Sequence, residues 1–167
     1  MPKTTEQVSK EWQKHKTEFH VAHSSAIIAW QNVEDGLFFV FCTLCKPCEE
    51  EVSSTIFYTA NQLAIRLKII KELVGLRYGN SSAIFENWNN ICTKIRKASS
   101  NRNDLAHCDA HFCLSSDDKP SLKLDKGKFN IKGNKKNITV KQINDWSSSF
   151  AVLAAQVNRF NLLLDEA

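Results

Sequence analysis

One hexapeptide, Arg-Asn-Asp-Leu-Ala-His, has residue types that suit phosphate chemistry. It contains Arg102, Asn103 and His107. The planar guanidinium of arginine is a permanent cation that matches phosphate oxygens. Histidine titrates near neutral pH and can accept or deliver a proton. Together they are the minimum equipment for cleaving RNA without a metal. A base deprotonates the ribose 2′-OH, its oxygen attacks the adjacent phosphate, and a cation stabilises the developing charge.

The spacing of this pair limits how it can converge on one phosphate. On an ideal helix, Arg102 and His107 lie about 140° apart. Either the helix ends before His107, or the long arginine side chain bends round, or a second subunit completes the site. The alternative role for both residues is to interact with the carbonyls at the helix C-terminus, where cations are favoured.

A lysine-rich segment offers a separate contact for a polyanion. From Lys119 to Lys141 the chain has eight lysines and one acid, a net charge of +7, which leaves −3 on the rest of a chain that totals +4. Such asymmetry favours nucleic acid as the partner, and a solvated lysine-rich hairpin is the alternative. The lysines expected to bind RNA are Lys126, Lys128, Lys132, Lys135 and Lys136.

Cysteine and histidine residues suggest a competing hypothesis, a zinc site. Cys42, Cys45 and Cys48 have two successive CxxC spacings, and further ligands are available in the segment 107–113. A closed zinc site needs four tetrahedral ligands, and the paired CxxC…CxxC pattern with a short loop is absent. The three cysteines also end an apolar helix, where cysteine packs as a small hydrophobe. We therefore predict no metal and no cofactor.

Composition sets the class of protein. The 167 residues, 43% hydrophobic and 24% charged, correspond to about one globular domain. The longest uninterrupted apolar run is only six residues and the N-terminus has no apolar leader, which predicts a cytoplasmic protein without a membrane span. No phosphate-binding glycine loop, GxSxG elbow or HExxH helix is present in the sequence, which argues against nucleotide hydrolysis, acyl transfer and zinc proteolysis.

Apolar periodicity predicts the elements that position these residues. Apolar residues at spacings of three and four indicate helices over 5–20, 24–45 and 54–76, a fourth from Ser81 or Ser82 to His107, and a fifth opened by Thr139. Alternation of apolar with polar residues in 109–138, with a turn at 125–128, predicts a small basic β-hairpin insert before the last helix. The fold class is mainly all-α, an up-and-down bundle of about five helices, in a single domain spanning 1–167.

The hexapeptide in this helical context resembles the HEPN family (higher eukaryotes and prokaryotes nucleotide-binding), whose motif is Arg, four to six residues, then His. The layout is also similar: Trp30-Gln31-Asn32-Val33-Glu34 lies early in a long helix, followed by further helices, the motif and a closing helix. The family is compact, α-helical and usually dimeric. Its motif-bearing members are typically metal-independent RNases in toxin, anti-phage and RNA-processing systems.

The resemblance implies a role for each site residue. Arg102 and His107 would be the catalytic pair, Asn103 would assist, and Glu34 or Asp35 would be an acidic group that orients them. We expect an endoribonuclease, a toxin or anti-phage defence effector, acting as a homodimer with RNA as substrate and an antitoxin or defence-system protein as a further partner. The alternatives are a catalytically silent HEPN-like module that binds RNA, nucleotides or protein, and a helical interaction domain stabilised by a Cys/His metal site.

Overall fold

The computed structural model describes residues 5–107, 109–114, 120–125 and 138–166. Within these residues the protein is all-α in character, with five helices and one short pair of strands. The helices are α1 (Thr5–Leu44), α2 (Glu50–Thr59), α3 (Leu63–Tyr78), α4 (Ala83–His107) and α5 (Val140–Glu166). The backbone of β1 (Asp109–Leu114) pairs antiparallel with that of β2 (Pro120–Asp125), with Phe112 opposite Leu122. The all-α expectation is confirmed at this level.

The five helices are divided differently from the five predicted. The predicted helices 5–20 and 24–45 are one continuous helix, α1, because no glycine or proline interrupts the chain before Gly36. This helix ends at Leu44, three residues before Pro47, which cannot continue the hydrogen-bond ladder. The Lys46–Pro47 peptide that follows is cis.

The predicted helix 54–76 is instead two helices, α2 and α3, separated at Ala60–Gln62. The break is stabilised by a residue that lies after it: Arg66 donates from Nε to the Ala60 carbonyl at 2.7 Å. Its guanidinium also lies over the rings of Phe57 and Tyr58, at 5.0 and 5.3 Å from their centroids. A carbonyl that leaves a helix needs another donor, and Arg66 supplies it.

Helix ends follow the expected local chemistry. Ser82 accepts a hydrogen bond at Oγ from the Phe85 amide, which caps α4. Thr139 Oγ1 accepts from the Gln142 amide, and Gln142 Oε1 accepts from the Thr139 amide, a reciprocal capping box at α5. At the end of α3, Gly79 has φ +86°, a conformation that favours glycine.

The chain divides into two compact units. The first unit comprises Met1–Ile28 and Ser100–Ser148, and the second comprises Ala29–Ser99 and Ser149–Ala167. In the first, the buried side chains include Phe19 and Ala26 of α1, Leu105 of α4 and Ile143 of α5. In the second, the buried side chains come from all five helices and include Trp30, Leu37, Phe57, Ile70, Trp88, Ile95, Phe150 and Phe160.

Close helix packing in the second unit depends on a glycine in α1. An added Cβ at Gly36 would meet Val157 Cγ1 at 3.0 Å and Asn158 Oδ1 at 2.9 Å. A side chain larger than hydrogen would therefore require the Asn158 and Val157 side chains of α5 to shift.

Helix α1 also contains one stretch that is long and apolar enough to cross a membrane, by length and composition alone. The mean hydropathy of its most apolar window is 1.2, and 50% of that window is buried inside the protein. The search for uninterrupted apolar runs did not reveal this stretch, because polar residues interrupt it: Gln31, Asn32, Glu34 and Asp35. Buried core helices of soluble proteins meet the same criterion.

Candidate functional site

The hexapeptide forms the C-terminal end of α4, which continues through His107. The helix therefore does not end before His107, and the separation of about 140° between Arg102 and His107 needs another explanation. The His107 side chain is exposed in the last turn, whereas Arg102 is half-buried. Two solutions remain for bringing them to one phosphate: bending of the arginine side chain, or a second copy of the helix.

Asn103 contacts the arginine that precedes it. Arg102 donates from Nη1 to Asn103 Oδ1 at 3.2 Å, and the Asn103 side chain is exposed. The amide oxygen therefore holds one arm of the guanidinium fork.

The end of the helix carries its own electrostatic field. The last carbonyls of a helix have no intrahelical donor and together carry roughly −0.5 of an elementary charge, which favours a cation nearby. Arg102 and a protonated His107 meet this preference. The alternative role from the sequence, interaction of both residues with the helix end, is thus compatible with their location.

His23 of α1 is a contact of this segment that the sequence did not reveal. Its Nε2 lies 3.0 Å from the Leu105 carbonyl oxygen, one of the carbonyls of the last turn. Its ring stacks on Phe19, with centroids 5.7 Å apart and planes inclined by 26°. A contact between residues 82 positions apart has no local signal in the sequence.

Two residues inside the motif are buried and anchor it. Leu105 is 2% exposed and belongs to the core of the first unit. Asp104 is 8% exposed, and it is the only buried charged residue in the described part of the chain. A carboxylate in such a place is stable only when it is paired or hydrogen-bonded. Asp104 was not among the predicted site residues, and no spacing rule distinguishes it from a solvated acid.

The acidic candidates lie on α1, in the second unit. Glu34 and Asp35 are both half-buried, and Asp35 Oδ1 accepts a hydrogen bond from Gln31 Nε2 at 2.8 Å. Their assignment as groups that orient the basic pair stays a prediction. Asp125, the first residue of the predicted turn, ends β2. The rest of that turn, the strand predicted after it and the five lysines expected to bind RNA lie in 126–137, outside the described residues.

The zinc hypothesis has little support in the described residues. Among them, no group of three or more His, Cys, Asp and Glu side chains is placed to hold a metal ion. Cys42 and Cys45 are half-buried, Cys48 is exposed, and all three are free thiols.

Comparison with known protein families, with curated proteins and with solved structures finds no match to this chain. The site must therefore be interpreted from its own residues.

Proposed function

We propose that this protein is a metal-independent endoribonuclease of the HEPN type, which cleaves RNA through attack by the 2′-OH. The observation that carries the proposal is the placement of Arg102 and His107 at the end of one continuous helix, with the His107 side chain exposed. A permanent phosphate-binding cation and a proton-transfer group are thereby fixed to the same rigid element.

Each residue has a distinct task in this reaction. His107 takes the proton from the 2′-OH, or delivers one to the leaving 5′-oxygen. Arg102 neutralises the charge that develops on the phosphate, because its full positive charge exceeds the partial negative charge of the helix end. Asn103 orients the guanidinium through the 3.2 Å bond to Nη1. Glu34 belongs to the second unit and has no step in this reaction.

The separation of about 140° between Arg102 and His107 favours a homodimer. A two-fold axis beside the end of α4 would bring two arginines and two histidines to a shared cleft. One histidine would then act as base and the other as acid. A toxin or defence effector of this kind would be controlled by an antitoxin or another protein of the same system.

The test is incubation of the purified chain with single-stranded RNA in EDTA. Cleavage should persist and leave 2′,3′-cyclic phosphate ends, since the internal 2′-OH is the nucleophile. His107→Ala should abolish cleavage and Arg102→Lys should reduce it at least tenfold, because lysine lacks the planar fork. His20→Ala, an exposed histidine of α1, is the matched control and should keep full activity.

Two other outcomes identify the alternatives. RNA binding without cleavage, equally strong in the wild type and in His107→Ala, would identify a catalytically silent binding module. Cleavage that disappears in EDTA and returns with zinc would identify a metal-dependent protein and overturn the proposal.

A further inference from the structure

The cysteines at the end of α1 form a cluster that the proposed nuclease does not use. Cys48 donates its backbone N–H to the Cys45 carbonyl at 2.9 Å, which closes a four-residue turn; we call Cys45–Cys48 the cysteine turn. Such a turn keeps its first and fourth Cα atoms within about 7 Å. A disulfide needs Cα atoms about 4.4–6.8 Å apart, so the backbone already holds the two cysteines close to bonding range.

The two thiols differ in accessibility. Cys48 is exposed and Cys45 is half-buried. Burial raises the pKa of the Cys45 thiol, and the negative charge of a Cys48 thiolate raises it further. Cys48 is therefore the sulfur that meets an oxidant first, while Cys45 stays protonated beside it.

Side chains on both sides hold the turn in place. Lys46, between the two cysteines, forms an ion pair from Nζ to Asp165 Oδ1 of α5 at 2.7 Å. Arg77 of α3 donates from Nη1 to the Thr43 carbonyl at 3.0 Å. An exposed ion pair contributes little stability, but these contacts tie the segment to two helices.

The other cysteines with described side chains are poorer candidates for oxidation. Burial raises the pKa of Cys92 to about 11, and this residue is only 4% exposed. Burial also raises the pKa of Cys42, and the Glu50 carboxylate raises it further. Both thiols therefore stay protonated at neutral pH and react slowly.

We propose that Cys45 and Cys48 form a redox-active dithiol, which low-molecular-weight disulfides such as oxidised glutathione convert into an intramolecular disulfide. The Cys48 thiolate attacks one glutathione sulfur, its S–S bond breaks, and the first glutathione leaves as a thiolate. Cys45 then loses its proton to solvent and attacks the Cys48 sulfur, which releases the second glutathione. The protein loses two electrons and two protons, and one oxidised glutathione becomes two reduced molecules.

The experiment is to treat the reduced full-length chain with oxidised glutathione and to locate disulfides and glutathione adducts by peptide mass mapping. The wild type should contain a Cys45–Cys48 disulfide and no lasting adduct on either of these two cysteines. Cys45→Ser should stop at the first step, with one glutathione on Cys48. Cys48→Ser should form no disulfide with Cys45.

Cys42→Ser and Cys92→Ser are the matched controls and should form the Cys45–Cys48 disulfide as the wild type does. A disulfide between Cys42 and Cys45, or an adduct that persists on Cys48 of the wild type, would overturn the proposal. Mapping of the wild type decides the pairing even if a variant does not fold. The outcome is independent of nuclease activity, since no RNA is involved.

Discussion

His23 holds the carbonyl of Leu105, at 3.0 Å from its Nε2, and so joins the N-terminal half of α1 to the last turn of α4 within the first unit. A carbonyl accepts only, so Nε2 must carry the proton. Both the neutral Nε2–H tautomer and the imidazolium satisfy this bond. The bond fixes the turn that presents His107.

Replacing His23 should loosen this turn. His23→Phe keeps a ring to stack on Phe19 but removes the donor, and it should lower the free energy of unfolding by about 1 kcal/mol. Faster hydrogen exchange of the last-turn amides in α4 and slower RNA cleavage should accompany the loss. His23→Gln, which keeps an N–H at similar reach, should recover part of both. Equal exchange in the two variants would show that the donor is unimportant.

Arg66 should determine the break between α2 and α3. Arg66→Lys removes the Nε–H donated to Ala60 and the planar stacking on Phe57 and Tyr58, and should lower the free energy of unfolding by about 1–2 kcal/mol. Urea denaturation measures this loss. Lys68→Ala, an exposed position on the same helix, should change stability by less than about 0.5 kcal/mol. A loss no larger than that of the control would contradict the role of Arg66.

Cys92 should make stability depend on alkaline pH. Burial raises the pKa of its thiol from 9.0 to about 11, so the folded protein keeps the proton longer than the unfolded chain does. The contribution of the protonated Cys92 thiol to the free energy of unfolding is fully present below pH 9 and is lost as the pH rises toward 11. Denaturation at a series of pH values should give a steeper decline above pH 9 for the wild type than for Cys92→Ala. Parallel declines would exclude Cys92 as the cause.

The lysine-rich segment should control the salt dependence of RNA binding. Changing five lysines to glutamine should weaken RNA binding. It should also reduce the magnitude of the slope of log affinity against log salt concentration, by about 0.7 for each lysine that contacts a phosphate of single-stranded RNA. The lysines to be changed are Lys126, Lys128, Lys132, Lys135 and Lys136.

An equal change of charge elsewhere is the control for that experiment. Exposed lysines of the helices outside the segment should have a much smaller effect on the slope when changed to glutamine: Lys10, Lys14, Lys16, Lys68 and Lys94. An equal effect of both sets would mean that net charge, and not the segment, attracts RNA.

A shared active site should allow two inactive chains to complement each other. Arg102→Ala and His107→Ala are each expected to be inactive. A mixed dimer keeps an arginine from one chain and a histidine from the other, so mixing should restore part of the activity. Sedimentation of the wild type should give a dimer. Full activity from a monomer would contradict the shared site.

The sequence predicted some features well because their causes are local. The caps at Ser82 and Thr139 depend on side chains three residues from their partners, and both were expected. The continuity of α1, the break held by Arg66 and the contact of His23 with Leu105 were not. Each depends on packing or on partners distant in sequence, which apolar periodicity does not encode. Asp104 was missed for the same reason, since its burial follows from the tertiary fold.

Two of the four tryptophans lie in the core of the second unit, against the same helix. Trp30 and Trp88 are 3% and 0% exposed, and their rings lie 5.2 Å from those of Phe150 and Phe160 of α5. Detachment of α5 would therefore expose both indoles to water and shift their fluorescence to longer wavelength. Trp12 and Trp146 belong to the first unit. With those two changed to phenylalanine, the remaining emission becomes an intrinsic optical probe of α5 in the second unit alone.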